Sequence, residues 1–560
     1  MSTPQHESES TVVTDQRQDR TPVERADVCV VGAGVAGGLV AYTLARAGHD
    51  VVILEAGPYL DDRNRFTRME TALRPEHGTF EIWDGGIDHA RDRYTESTPT
   101  NLGVELNRNR LKAIGGTTLH WAGHSPRMHE KDFEMNSRYG LAADWPLGYS
   151  DLRPHYAQAE REIGVAGGGD NPFVPREEDP PMPAHPPTPT DELYQEACEN
   201  LGIRTHTNPL AINSEVYDGR SECMGYSTCS PVCPSGARYS GNTHIHRARD
   251  EGATVIDRVP VQRLEHDTEG STVEAAVYRT PEGEEHRQYA DQFVLAAGGI
   301  EVPRLLLLSD SREYPDGLAN SSGTVGKYLH FECVVWVDAL HEQPTNDTPV
   351  DFLTTVSEEF YDHDEPSPGS FRLRFRNRDP VSPLGVALGS RSPLREPLQG
   401  ALWGDDLLDR MEHATENRAL RIDAQVEMLP HRDNSVTLNE SEQDSHGNPV
   451  PHISLDIGDH VLETGNEAIA VMETIFDELG ATVTEVSDPA NQQFQFHHKG
   501  TTRMGDDPTT SVVDSRLRTH DLQNLWVASS SVFPSGGAVN PTLTIAALAL
   551  RAAEYIDGEL

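Results

Sequence analysis

The chain is 560 residues long, which allows two domains with separate cores rather than one compact unit. Its 90 acidic residues outweigh 46 basic ones, for a formal net charge of −44, and lysine occurs only at Lys112, Lys131, Lys327 and Lys499. Such a balance excludes nucleic acid as an expected partner, because a phosphate-backbone binder needs a basic stripe. It is the composition expected of a halophilic protein, whose solvent screens the mutual repulsion of carboxylates.

Residues 1–25 read as a disordered, polar and acidic tail. They contain no apolar signal segment and no Arg-Arg pair, and no run of eighteen apolar residues occurs anywhere. The sequence by itself is therefore expected to be cytoplasmic and without a membrane segment; placement at a membrane, or export, would depend on a partner. Asp27–Val31 is predicted as a buried strand, Val35–Gly48 as a helix and Val51–Leu54 as a second strand. The Gly/Pro/acid-rich stretch 167–190 reads as an exposed loop or insertion. A strand at Phe293–Ala296 and a helix over Pro303–Ser309 return the chain to the first unit. From about Tyr328 to Pro489, segments such as Phe371-Arg372-Leu373-Arg374-Phe375 and Ala424-Gln425-Val426-Glu427-Met428 alternate as in an antiparallel sheet with one wet face. A last buried strand, Asn524–Ala528, precedes a helix over Pro541–Glu554. The expected fold class is α/β, with a doubly wound Rossmann-like domain over 26–327 and 490–560. A substrate domain with a mostly antiparallel sheet is expected over 328–489.

Gly32-Ala33-Gly34-Val35-Ala36-Gly37 is a G-x-G-x-x-G string placed after a strand and at the mouth of a helix, with Glu55 closing the next strand. Gly32 permits the tight turn, Gly34 lets a pyrophosphate approach the backbone, and Gly37 permits close helix–strand packing. Free N–H groups at the helix N-terminus face the phosphates. A carboxylate at Glu55 suits ribose hydroxyls and disfavours a 2′-phosphate. The spacing alone points to a dinucleotide without saying which.

Four further stretches narrow it. With Leu54-Glu55-Ala56-Gly57-Pro58, Gly115-Gly116-Thr117-Thr118-Leu119-His120-Trp121, Ala296-Ala297-Gly298-Gly299-Ile300-Glu301 and the block His497–Ala549, the chain resembles the glucose-methanol-choline (GMC) flavoprotein oxidoreductases from about Asp27 to Ile556. The resemblance implies FAD and a substrate domain on a six-stranded antiparallel sheet. The Gly115-Gly116 segment ending in His120 resembles that of members whose FAD is covalently bound through the flavin 8α-methyl group; the alternative for His120 is a neutral imidazole lining the flavin. Val261 falls where the family contacts adenine, Thr542 and Pro541 where the last helix meets the flavin, and Ser529 where many members carry an Asp. The H-x-x-G-T pattern places the catalytic base at His497, with His498 as the rival in the doublet. Asn540 falls where members carry His or Asn. The reaction implied is oxidation of an alcohol or sugar-type CH–OH group. His497 would take the hydroxyl proton as hydride passes to flavin N5, and Asn540 would position the oxygen.

Cys223, Cys229 and Cys233 have the spacing C-x5-C-x3-C-P. Thiolates this close in a loop can surround one inorganic centre, and soft sulfur selects iron–sulfur or zinc; a disulfide or free thiols are the alternatives. The spacing resembles the flavoprotein subunits of bacterial gluconate, fructose and FAD-dependent glucose dehydrogenases. That resemblance implies a 3Fe-4S cluster passing electrons to small accessory and electron-acceptor subunits. An oxygen-using oxidase with structural cysteines, similar to pyranose and choline oxidases, is the competing reading.

Overall fold

A computed structural model of the chain describes residues 20–60, 62–72, 94–98, 106, 110–345, 352–362, 369–377, 404–405, 408, 418–491, 493–494 and 497–560. Residues 1–19 of the expected tail lie outside these. Residues 20–25 are held against the first sheet: Arg20 pairs with Asp257 at 3.1 Å, and the Tyr278 hydroxyl donates to the Arg20 carbonyl at 2.6 Å. An internal partner, not composition, decides order here.

Among the described residues the first sheet has seven strands. Its parallel core runs Thr254–Ile256, Val51–Leu54, Ala26–Val31, Glu285–Leu295, with Leu525–Val527 pairing parallel to the last of these. Val30 lies opposite both Ile53 and Val294, so the apolar runs that read as buried strands share one register. An antiparallel meander, Val261–His266 and Val273–Arg279, extends one edge. The helix Val35–Ala47 packs against the helices Asn242–Asp250 and Thr542–Asp557.

Among the described residues the second sheet also has seven strands, one more than the resemblance implies, because Gln493–Phe494 pairs beside the six-strand path. The path runs Thr482–Val486, Glu332–Leu340, Ala419–Glu427, Phe371–Arg376, Thr355–Ser357, His206–Thr207, every pairing antiparallel. Two of its strands thus come from outside 328–489. One face, carrying Phe371, Leu373, Phe375, Ile422, Ala424, Val426, Val335 and Val337, is buried with Val461, Met472, Ile475 and Phe476 of the helix Gly458–Glu478. Strand alternation puts Glu332, Asp423, Gln425, Arg372 and Arg374 on the other face. The expected wet face is dry over most of its length, with Arg372 0% and Arg374 2% exposed, and is open at Arg376, whose side chain is 39% exposed. The charges are tolerated because they are paired, Arg374 with Asp423 and Arg372 with Glu358 at 3.0 Å.

Two further expectations shift. The helix read as starting at Pro303 spans Gly298–Leu307. Proline at its sixth position removes the N–H that would reach the Gly299 carbonyl, and the Thr501 hydroxyl donates to that carbonyl instead, at 2.6 Å. The stretch 167–190 is not simply exposed. Val174 and Met182 are buried, Asn171 donates to Glu358 at 2.8 Å, and Thr188 with Asp191 forms a capping box for the helix Pro189–Asn200.

Candidate active site

A cavity of about 950 Å3 lies between the two sheets, at the upper end of the size range of small-molecule sites. The glycine loop and the C-terminal pair line it together: Gly32, Gly34, Glu55, Gly116, His120, Val261, Ser529, Pro541, Thr542, His497 and Asn540 all border the space. Gly37 and Gly115 stand behind that wall. A Cβ on Gly37 would lie 2.0 Å from the Gly32 carbonyl oxygen, and Gly115 donates its N–H to Ala33 at 2.8 Å. Gly34 is different: a Cβ there meets nothing within 4 Å. Its open side is cavity, a cradle that a bound pyrophosphate fits at the helix N-terminus. Glu55 accepts from the backbone N–H of Ala33 and Gly57, both at 2.8 Å. Burial pushes its carboxyl up to about 7 against the pull of those amides and of Lys112. Ser529 accepts from Ser531 N at 3.1 Å and so shapes the turn that precedes Asn540. These residues fit FAD: a backbone cradle for the phosphates, an acid at the ribose end and the N-terminus of the helix Thr542–Asp557 on the same space.

His497 is placed by its own motif. Gly500 has φ +93°, and a Cβ there would stand 2.2 Å from the Tyr328 carbonyl oxygen, so only glycine lets the 497–500 segment lie against 328–332. Lys499 and His330 then exchange backbone hydrogen bonds, bringing His497 Nδ1 to 2.7 Å from Glu332 Oε2. Asn540 Nδ2 lies 3.1 Å from His497 Nε2. With Nδ1 donating to the carboxylate, Nε2 is the basic nitrogen and accepts from Asn540. Burial opposes ionisation of Glu332, but Lys499 and His497 outweigh it and hold the carboxyl below its ordinary range. Lys499 Nζ also donates to the Gly536 carbonyl at 3.2 Å, and Ala538 N donates to the Tyr361 hydroxyl at 2.9 Å, which anchors the loop carrying Asn540. His498 also borders the cavity, but burial holds it down to about 3. Its backbone carbonyl accepts from the Ser530 hydroxyl at 2.6 Å, and Phe331 packs edge-on against its ring.

Glu332 and Lys499 were not legible as site residues. Lys499 carried a hint, being one of only four lysines and lying inside the His497 motif. Glu332 is one acid heading an apolar strand, and only the pairing of distant segments brings it to His497.

His120 is buried, and burial with the neighbouring Arg238 guanidinium holds it down to about 4, so its ring is neutral at pH 7. The cysteine loop packs directly behind it. Ser230 Oγ donates to the His120 carbonyl at 3.1 Å, and the Arg238 guanidinium donates to the carbonyls of Leu119, Trp121 and Cys229. Cys223, Cys229 and Cys233 pack with Leu210, Ile212 and Phe352, and none is in a disulfide. Burial opposes ionisation of the Cys233 thiol, but Arg238 and the nearby amides bring it below its ordinary value. Among the described residues no three His, Cys, Asp or Glu side chains are arranged around a single metal ion.

Comparison with known proteins agrees with this geometry. Residues 106–334 and 430–549 match the two "GMC oxidoreductase" families and residues 27–66 match "FAD dependent oxidoreductase". The chain is 32% identical to the fructose dehydrogenase large subunit of Gluconobacter japonicus, over 96% of this chain and 98% of that one. It is 31% identical to paromamine 6′-oxidase of Streptomyces fradiae, over 95% and 92%. The fold matches a crystal structure of pyridoxine 4-oxidase from Mesorbium loti at a TM-score of 0.63 and 21% identity, covering 94% of this chain and 98% of that one. The glycine cradle, the His497–Asn540 pair and relatives matched nearly end to end place the chain in the GMC oxidoreductases, FAD-dependent enzymes that act on alcohol and sugar CH–OH groups.

Proposed function

We propose that the chain is a dehydrogenase of a sugar, sugar acid or polyol, with His497 as base and Asn540 positioning the substrate oxygen. The observation that carries this reading is the His497 ring, tied at Nδ1 to Glu332 and open at Nε2 toward Asn540 and the cavity shared with the glycine loop. A hydroxyl entering between Nε2 and Asn540 Nδ2 replaces their mutual hydrogen bond with two: its O–H donates to Nε2 and its oxygen accepts from Nδ2. The base then lies within reach of the proton that must leave. Glu332 stabilises the imidazolium that forms, and Lys499 keeps Glu332 ionised. Bound FAD supplies the sink for the two electrons leaving the carbon.

We assign 26–327 and 490–560 to the FAD domain and 328–489 to the substrate domain, with His206–Thr207 and Gln493–Phe494 lending strands to the substrate-domain sheet. For the exit of electrons we assign a 3Fe-4S cluster to Cys223, Cys229 and Cys233, and a partner with accessory and electron-acceptor subunits. The three thiols pack in one loop and none is in a disulfide, which suits ligands that bind separate irons of a cluster. Contact between this loop and the His120 wall supports the route. The neutral His120 ring is the nucleophilic form that covalent attachment to FAD requires. The acidic surface supports work in strong salt. No described helix is long and apolar enough to cross a membrane, so we assign any membrane association to a partner. The oxidase among the relatives favours a second reading, with oxygen as acceptor and structural cysteines.

Protein purified without oxygen in molar salt should carry about three irons per FAD, and its flavin should bleach with a sugar, sugar acid or polyol. Absence of iron together with peroxide release turns the conclusion to the oxidase. No bleaching with any alcohol overturns both readings.

A further inference from the structure

On the polar face of the second sheet one cluster carries a charge excess that the redox chemistry does not use. Arg374 and Arg376 both border the cavity, and both meet Asp423 through their Nε atoms, so two guanidinium groups share one carboxylate. Arg374 is 2% exposed, whereas the Arg376 side chain is 39% exposed. His124, on the segment just after Trp121, borders the same space. Its proton can be placed. The Asn208 carbonyl oxygen accepts from Arg372 at 2.8 Å, which turns the Asn208 amide nitrogen toward His124 Nδ1 at 2.9 Å. Nδ1 is therefore the acceptor, and the neutral ring carries its hydrogen on Nε2. The field agrees: after burial, Arg374, Arg372 and Arg376 hold this imidazole well below its ordinary value, with Asp423 opposing. Arg376 and His124 thus present donors to the cavity, with the buried Arg374 adding its charge behind them. Among the described residues the cluster carries a surplus of about one positive charge, counted as two guanidinium groups less one carboxylate.

We propose that Arg374, Arg376 and His124 form a subsite for the carboxylate of a polyhydroxy acid, so that the substrate is a sugar acid in preference to a neutral sugar or polyol. A planar carboxylate accepts from the Arg376 guanidinium and from an N–H, and its single charge matches the surplus, whereas a phosphate ester dianion exceeds it. The phosphates of FAD do not compete for the place, because their cradle is the glycine loop of the other sheet. The inference rests on the reading of this cavity as the CH–OH-oxidising site.

The test uses holoenzyme and pairs of aldonic acid and alditol of four to six carbons, at the lowest salt that keeps the protein folded, since salt screens a partly exposed contact. The readout is the ratio of kcat/KM values for anaerobic flavin bleaching within each pair, so a variant that damages the fold lowers both values and leaves the ratio. The acid should be favoured roughly 10- to 100-fold, as a charge-assisted contact gives. Arg376→Gln should erase most of that ratio and Arg376→Lys should keep a part of it. Equal or better use of the alditol, an unchanged ratio in Arg376→Gln, or preference for an alditol phosphate overturns the subsite. If no pair bleaches the flavin, the proposed function fails separately. Titration of the oxidised flavin spectrum with the acids still reads the subsite: a response lost in Arg376→Gln supports it, and no response overturns it.

Discussion

The two walls of the cavity are built from different material. The flavin-side wall is backbone: the glycine loop, the turn at Ser529 and the N-terminus of the last helix offer N–H groups and empty space. The wall on the second sheet is side chain: Arg374 and Arg376 border the space, and behind them Asp423, Glu332 and their partners form a buried field of charge. A backbone wall tolerates little change of shape and carries little sequence-dependent charge, which suits a ligand shared by a whole family. A side-chain wall can be rewritten one residue at a time, which suits recognition of a substrate. The base stands on the seam, with His497 held from the charged side by Glu332 and facing Asn540 on the other.

The largest effect that separates the walls is expected at the seam. His497→Gln should slow flavin bleaching by about 10²- to 10⁴-fold while FAD content stays at its starting level, because the backbone wall is untouched. Loss of FAD from this variant would break the division. Glu332→Gln comes next, with a fall in kcat of roughly 10- to 100-fold, as for other groups that orient a functional histidine. Its distinguishing signature is rescue: Glu332→Asp should restore part of the rate, and FAD content should stay at its starting level in both variants. A purely structural role for Glu332 would lower FAD content along with the rate.

On the backbone wall, two glycines three positions apart should behave oppositely. Gly37→Ala drives a Cβ into the Gly32 carbonyl and should destabilise even the FAD-free protein by about 1–3 kcal/mol. Gly34→Ala adds its methyl to open space, so the FAD-free melting temperature should hold while FAD affinity falls by about tenfold or more. Equal FAD affinity in Gly34→Ala would mean that the pyrophosphate lies elsewhere.

The same division explains what the sequence made readable. Gly32, Gly34, Glu55, His497 and Asn540 belong to short contiguous strings, because a loop over a phosphate or a base on a tight turn needs fixed local spacing. The parallel strands were equally plain, as apolar runs between turn residues. Glu332, Arg374 and His124 come from three distant segments, and only antiparallel register brings the first two onto one face. Alternation in Phe371–Phe375 did reveal that one face is polar. It could not show that this face turns inward, since a solvated and a paired, buried arginine look alike in a string of letters. Pro303 misplaced a helix start for a related reason: its missing donor is made good by Thr501, almost two hundred residues away.

The smallest expected effect concerns acid stability and tests whether the seam is as dry as the sheet wall. His120 is held down to about 4 by burial and Arg238, His330 to about 3 by burial and Lys499, and His498 to about 3 by burial and Arg110. Each has a folded pKa below its unfolded one. Between pH 6.5 and those lower values the unfolded chain binds a proton that the folded chain refuses, so stability falls as pH falls through that window. Well inside it, each such histidine contributes a slope of about 1.4 kcal/mol per pH unit. Replacing one of them should therefore flatten the pH dependence without abolishing it. His498→Leu is the informative choice, because Nε2 has no hydrogen-bond partner among the described residues and the ring packs against Phe331. Chemical denaturation of the holoenzyme between pH 5 and 6.5 should show a slope shallower by roughly 1.4 kcal/mol per pH unit in the variant. An unchanged slope would place His498 in contact with water and make the seam wetter than the wall beside it.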